Sequence, residues 1–315
     1  MNPARRLVAH RAGGVVLGLL IDEALGELPT PVHPVAGFGL LMQRVERHCW
    51  ADRFAPGLVY AAIGSALGVA AGRMVPSVPV AVAIAVAGRS LRAAGAEVEG
   101  RLAAGDLTGA RLAVSSLVGR DPSDLDASGI SAAVVESLAE NSVDAVVAPV
   151  FWAMVAGAPG ALAHRAVNTM DAMVGHRSPR YRRFGTAAAH LDDLANYLPA
   201  RIYAALVALV TPLSSRAVAV TVRRDAGSHP SPNAGVAESA AAAALGRELG
   251  GPLRYGDRLE HRPRLGAGPR PSPADIHRAR QLSGRVELAL GVALALTALG
   301  GRSREDVTRR DMEAR

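Results

Sequence analysis

The chain has 315 residues, half of them apolar but only 3% aromatic, and a formal charge of +7. That charge is all arginine: the sequence contains no lysine, which excludes a P-loop nucleotide site and any Schiff-base or pyridoxal-phosphate chemistry. The single cysteine, Cys49, excludes an intrachain disulfide and a cysteine-built metal cluster, and arginines without interleaved aromatics give no nucleic-acid motif.

The apolar residues are mainly Ala, Val, Leu and Gly, which let helices approach closely, and the mean hydropathy is +0.19. Both point to an all-α, polytopic membrane helical bundle, a single integral membrane domain over 1–315, with arginines in the loops flanking its helices. In chain order the apolar segments are 12–21, 56–72, 74–88, 143–157, 201–222 and 286–300. MNPARR resembles a signal n-region, but no small-residue cleavage site follows 12–21, so that stretch is expected to be retained. In 56–72, Gly64 and Gly68 have the small-xxx-small spacing of a helix-packing face. Polar helical regions are expected at 89–142, 164–200 and 223–285. No internal repeat is apparent, and the only low-complexity stretch is the Pro/Gly/Arg-rich one at 261–273.

Two segments carry the marks of broken or re-entrant elements. Pro149 interrupts the first, which meets the turn signal GAPG at 157–160, and Thr211-Pro212 interrupts the second. Helices that enter and return in this way would gather the polar regions on one face.

Asp121 and Pro122 set a turn, after which SAAVVESLAEN takes up helical periodicity. Glu136, Glu140 and Asp144 follow at a spacing of four, on one helix face, with Asn141 beside them and no lysine or arginine between Arg120 and Arg165. Such like charges need a cation, and Mg²⁺ suits carboxylates and phosphate oxygens; the alternative is a solvated helix face. Next come Asn168 and Asp171 one turn apart, then Gly175 and the arginines Arg177, Arg180, Arg182 and Arg183. An acidic site with an arginine cluster suggests a polyanion such as a nucleoside triphosphate, against ordinary positive loop charge. Asp192, Asp193 and Asn196 fall within one turn, able to complete a metal site or hold an amine, and Pro199 is expected to open the next helix. HPSPNAG at 229–235 precedes a helix start at Asn233 whose N–H groups suit an anion, or which Asn233 simply caps; that helix is expected to stop at Gly250 and Gly251. Asp22, Glu23 and His33 make a weaker group near a helix end.

These stretches resemble the CobD/CbiB family, the membrane-bound cobinamide-phosphate synthases of cobalamin biosynthesis. The resemblance covers nearly the whole chain. It rests on Asp22, Gly26, Pro29, His33 and Pro34, GRD at 119–121, ESLAENSVDAVVAPVFW, RAVNTMDAMVGHRSPRYRRFG, LDDLANYLPAR, and HPSPNAG followed by Glu238. It implies an ATP- and Mg²⁺-dependent ligase joining a carboxyl of adenosylcobyric acid to the amine of 1-amino-2-propanol or its phosphate. On that reading Glu140 and Asp144 hold Mg²⁺ with Glu136 behind them, and Asp171 with Asn168 gives a second ligand position or binds the amine. Asp192 or Asp193 takes the amine's proton. Arg177, Arg182 and Arg183 contact phosphates, while Asn141, Asn196, His229, Ser231 and Asn233 bind substrate, the last at the helix start that would take the aminopropanol phosphate. The resemblance also implies a multi-pass inner-membrane protein in contact with lipid, its motif face cytoplasmic because ATP is needed there, with no nucleic-acid partner. Association with other enzymes of the pathway or with a second copy stays open. The competing reading is a membrane transporter or an assembly scaffold without ligase activity.

Overall fold

The structure, a computed structural model, describes residues 3–119, 121–176, 178–255 and 258–313. The described residues are helical, as expected, with one β-hairpin among them. Among the described residues four helical stretches are long and apolar enough to cross a membrane: Phe54–Met74, Val78–Ala103, Ala127–Ala156 and Pro273–Gly300. A bent pair, Thr186–Val210 with Pro212–Ser228, makes a fifth if counted as one span. The chain divides into two compact units, one of residues 1–87, 148–195 and 289–315, the other of residues 88–147 and 196–288.

In the first unit α1 (Pro3–Leu25) packs on α4 (Val78–Ala85), and α3 (Phe54–Met74) packs on α9 (Ala158–Met170). The α3–α9 contact runs along the predicted glycine face. A Cβ on Gly68 would stand 2.9 Å from the Ala163 Cα, and one on Gly72 would stand 2.3 Å from the Pro159 Cα, so only glycine allows the two backbones to meet. Beside it, Met42 of α2 (Pro34–Cys49), Tyr60, Met170 and Phe184 form the core. The turn predicted at GAPG is present: Gly157 has φ 68°, and α8 (Ala148–Ala156) folds back on α9. Arg11 of α1 donates to the carbonyls of Met154 (3.1 Å) and Val155 (2.6 Å), two of the groups α8 leaves unpaired at its end.

Two of the expected helix breaks do not occur. Pro149 does not interrupt its segment: α7 (Ala127–Ser142) passes through a π-turn, Val143–Val147, directly into α8, a run of 30 residues. The wider turn just ahead of the proline opens the backbone where its ring would crowd the carbonyl of residue 145. Pro199 does not open a helix but lies inside α10 (Thr186–Val210). It has no N–H to offer the Ala195 carbonyl, and the Trp152 indole N–H donates to that carbonyl instead, at 3.0 Å. Trp152→Phe should therefore lower stability by about 1–3 kcal/mol, the cost of an unpaired buried acceptor. The measurement is the thermal midpoint of the detergent-purified protein in wild-type and Pro199→Ala backgrounds. The loss should largely vanish where alanine restores the N–H, and an equal loss in both would show that the indole serves no such purpose.

The expected break at Thr211-Pro212 is there, as a bend of 111° between α10 and the segment that contains α11 (Ser215–Asp225). In the second unit α5 (Gly88–Ala103), α6 (Leu107–Val114), α7, α12 (Ala234–Leu245) and the start of α13 (Pro273–Glu313) share a core of Val98, Ile130, Leu138, Leu249 and Ile276. Asp126 caps α7 by accepting the Gly129 N–H at 2.7 Å, and the Asp121 carboxylate accepts the Ser123 N–H at 2.9 Å, the turn read from the sequence. α12 ends at Gly246 (φ 64°), four residues before the expected stop, because the Arg247 N–H returns to the Ala242 carbonyl there. Gly250 (φ 77°) and Gly251 (φ 97°) instead form a bulge in β1 (Glu248–Tyr255). Its partner β2 (Arg258–Gly266) takes up the first part of the stretch read as low-complexity, with Leu249 opposite Leu265 and both fully buried.

Candidate active site

The carboxylates Glu136, Glu140 and Asp144 do not share one environment. Glu136 is buried in α7 and its Oε1 accepts the Gly250 N–H of β1 at 2.8 Å. Glu140 is exposed, and Asp144, on the π-turn, is half-buried. Asn141 donates to the Ser137 carbonyl (2.9 Å) and hydroxyl (3.0 Å), and the Ser137 hydroxyl donates in turn to Leu117 (2.8 Å). Among the described residues no three His, Cys, Asp or Glu side chains form a metal-holding group. Mg²⁺ does not require one, since it is commonly held by one or two carboxylates together with substrate phosphates and water. Glu140 and Asp144, one turn apart and not fully buried, fit that demand; Glu136, turned to the hairpin, positions the helix.

Asn168 and Asp171 sit at the end of α9 and the start of a second π-turn, Asp171–Gly175. The two segments are alike in sequence as well as shape. Asn141-Ser-Val-Asp144-Ala-Val-Val147 and Asn168-Thr-Met-Asp171-Ala-Met-Val174 share the pattern Asn, hydroxyl, apolar, Asp, Ala, apolar, Val. One lies in each unit. A likeness of seven residues is too short for a search for domain-length repeats, and the shared π-turn makes it visible. π-turns occur often at functional sites, where they displace a side chain from the regular helix lattice.

In the first unit the Asn168 amide donates to Asp192 Oδ1 at 3.2 Å, bringing together two of the predicted residues from α9 and α10. Asp192 is buried, Asp193 is half-buried, and the buried Asn196 follows on the same helix. Gly175 lies against Asp171: a Cβ there would stand 1.8 Å from Asp171 Oδ1.

The arginine loop divides by function. Arg177 lies outside the described residues. The Arg180 guanidinium donates to Glu46 Oε1 at 2.9 Å and stacks 4.5 Å over the Trp50 ring, while Tyr181 donates to the same oxygen at 2.9 Å. Burial, and secondarily the hydrogen bond to Glu46, raise the Tyr181 phenol above its ordinary pKa, so it stays a donor. Arg180 is thus an anchor, leaving Arg182 and Arg183 exposed and without ion-pair partners among the described residues. The sequence offered one signal for Glu46, an acid four residues after the buried Met42 on the apolar face of α2.

HPSPNAG holds its own backbone. The Ser231 hydroxyl accepts the N–H groups of Asn233 and Ala234, each at 3.2 Å, so Ser231 caps α12 where Asn233 was the expected cap. The N–H groups of 235, 236 and 237 return to the carbonyls of Ser231 and Asn233. The first turn therefore offers an anion little backbone, and charge at this place comes from side chains. Arg201 of α10 donates to Asn233 Oδ1 (3.1 Å) and lies 3.6 Å from the Tyr197 ring centre. Arg262 of β2 stands 3.0 Å from His229 Nε2, which is also 3.8 Å from Glu238 Oε1. The Ser231 N–H donates to His229 Nδ1 at 3.1 Å, and the Ser231 carbonyl oxygen stands 3.2 Å from the same nitrogen, so the segment's own backbone holds the ring. Arg201 and Arg262 are the residues that motif reading passed over as functional candidates: one closes a motif read for its acids, the other lies in the stretch set aside as low-complexity.

A family profile described as CobD/Cbib protein matches residues 15–283. The chain is 44% identical over 295 residues to the Cobalamin biosynthesis protein CobD of Mycobacterium tuberculosis, covering 90% of this chain and 94% of that one. It is 50% identical over 215 residues to the protein of the same name from Rhodobacter capsulatus (68% of each), and 41% identical over 299 residues to that of Chromobacterium violaceum (90% and 95%). No solved structure matches.

Proposed function

The chain belongs to the CobD/CbiB family, and from that premise we propose that this multi-pass membrane protein of cobalamin biosynthesis is an amide-forming ligase. Its substrates on this reading are ATP, adenosylcobyric acid and (R)-1-amino-2-propanol or its O-phosphate, and its product is adenosylcobinamide or the phosphate. The observation that carries the reading is the pair of Asn-x-x-Asp segments on π-turns, which present carboxylates and amides at helix positions bent out of the regular lattice. The exposed Arg182 and Arg183 supply charge for a polyphosphate.

In this mechanism the substrate carboxylate oxygen attacks the γ-phosphorus of ATP and ADP leaves. The amine nitrogen then attacks the acyl carbon, inorganic phosphate leaves, and Asp192 or Asp193 accepts the proton. Mg²⁺, when bound, neutralises phosphate charge in the transfer. Glu140 and Asp144 hold that charge in place, and Asn168 orients Asp192 through the bond at 3.2 Å. Asn141, Asn168, Asp171 and Asn196 are assigned to binding substrate or amine, and Arg182 and Arg183 to the phosphates. His229, Ser231 and Asn233 fix Arg262 and Arg201, the groups suited to a phosphorylated amine. The need for ATP puts the motif-bearing face on the cytoplasmic side of the inner membrane.

The test is mass spectrometry of the corrinoid after incubating the purified protein with adenosylcobyric acid, Mg-ATP and each amine in turn. An amide adduct with one amine supports the ligase and names its substrate; none with either, from protein that binds the corrinoid, removes it. One observation favours a second reading, the 111° break at Thr211-Pro212, because transporters build substrate sites on discontinuous helices. Corrinoid uptake into proteoliposomes without ATP consumption would select it.

A further inference from the structure

The first unit contains a cavity of about 440 Å³ that the catalytic reading does not use. On α3 it is lined by Ser65, Val69 and Arg73. Their spacing of four places them on one helix face over roughly 12 Å of axis. On α9 it is lined by Gly160, His164 and Val167. The two helices run antiparallel, since Gly72 meets Pro159, Gly68 meets Ala163 and Gly64 meets Met170. The space is therefore a slot along the helix axes, with Arg73 near the Gly157 turn at one end and Ser65 and Val167 at the other. Trp152 of α8 and Leu191 of α10 close its sides.

The walls offer a polar molecule little. The Ser65 hydroxyl donates to its own helix, to the Ala61 carbonyl at 2.7 Å, and the Trp152 N–H is taken by Ala195. The buried His164 imidazole is the polar ring in a wall otherwise made, Ser65 and Arg73 apart, of Val, Ala, Pro, Gly and Leu residues with the Trp152 ring, so a polar solute would recover few of the hydrogen bonds it leaves in water. The charge at the slot's end is Arg73, exposed in the last turn of a helix long and apolar enough to cross a membrane, and without an ion-pair partner among the described residues. Arginine at such a helix end reaches the headgroup level, where anionic phosphate lies. Arg11 at the same turn is engaged with the Met154 and Val155 carbonyls, so a largely apolar slot with the Arg73 guanidinium at its mouth is complementary to an amphiphile with a tail in the slot and an anionic head outside.

We propose that the slot holds an acyl chain of an anionic phospholipid whose headgroup phosphate pairs with Arg73. The inference rests on the membrane-embedded fold and stands apart from the ligase reading.

The experiment is native mass spectrometry of the full chain, purified in mild detergent and then offered equimolar phosphatidylglycerol and phosphatidylethanolamine. The expected result is one phospholipid per chain that survives washing, with phosphatidylglycerol preferred about fivefold, as one basic group at a headgroup supplies. Val69→Trp and, from the opposite wall, Leu191→Trp should each fill the slot and lose the lipid. Arg73→Gln should keep a lipid but lose the preference. The proposal is overturned if no lipid is retained, if a folded slot-filling variant retains as much as wild type, or if Arg73→Gln keeps the full preference.

Discussion

Asp144→Asn is expected to reduce ligase turnover by about 10²-fold to 10³-fold, the loss seen when a positioned charge acting in the transition state is removed. The substitution keeps the size and shape of the side chain and takes away only its charge. Asp144 is half-buried on the π-turn, within a 30-residue helix whose apolar residues are unchanged, so membrane insertion and the yield of purified protein should match wild type. The control is Glu136→Gln on the same helix. Glu136 accepts the Gly250 N–H, and the glutamine carbonyl can accept it equally well, so this variant should retain most activity despite losing a carboxylate from the same motif. Near-normal turnover in Asp144→Asn, or equal losses in both variants, would sink the assignment of Asp144 to the metal and phosphate.

Gly175→Ala is expected to cost about 10²-fold in turnover with little change in stability, an effect of displacement by about an ångström. The new methyl group would stand 1.8 Å from Asp171 Oδ1, and its next contact outside that side chain, the Ala189 Cβ, is an ordinary one at 3.5 Å. The clash is with the end of a side chain that can rotate. The fold survives, and the carboxylate of Asp171 leaves its place. Gly185→Ala makes the contrast, since its methyl group would stand 1.8 Å from the Val174 carbonyl oxygen, which is backbone and cannot turn aside alone. That variant should lose stability first. The measurements are turnover and thermal midpoint for both. Full activity in a stable Gly175→Ala protein would show that the Asp171 carboxylate has no catalytic or binding role in that position.

Much of the architecture is legible in local pattern. The apolar segments, the glycine face of α3, the turn at Asp121, the cap at Asp126, the turn at Gly157 and the break at Thr211-Pro212 all follow from residues within one or two turns of each other. The failures have a common form. Pro149 and Pro199 read as helix breakers because the rule assumes a regular α-helical hydrogen-bond ladder that has no other way to accommodate the ring or satisfy the freed carbonyl. A π-turn accommodates the first, and an indole 47 residues before the second supplies the hydrogen bond that the proline cannot. The hairpin at 248–266 escaped because its apolar residues are few and interrupted by Pro and Gly, so no alternation shows until Leu249 and Leu265 face each other.

The candidate site divides in the same way. Which residues carry charge, amide and hydroxyl groups was settled by the sequence alone, because chemistry and spacing along a helix are local properties; that two of these stretches share an Asn-x-x-Asp pattern stood out only once both were seen on π-turns. What each group is engaged with was decided by tertiary structure. Glu136 answers a backbone N–H 114 residues away, Arg180 a carboxylate 134 residues away, and Arg262 a histidine 33 residues away. The physical reason is that a buried polar group must find its partner wherever packing places one, and no periodicity along the chain encodes that distance.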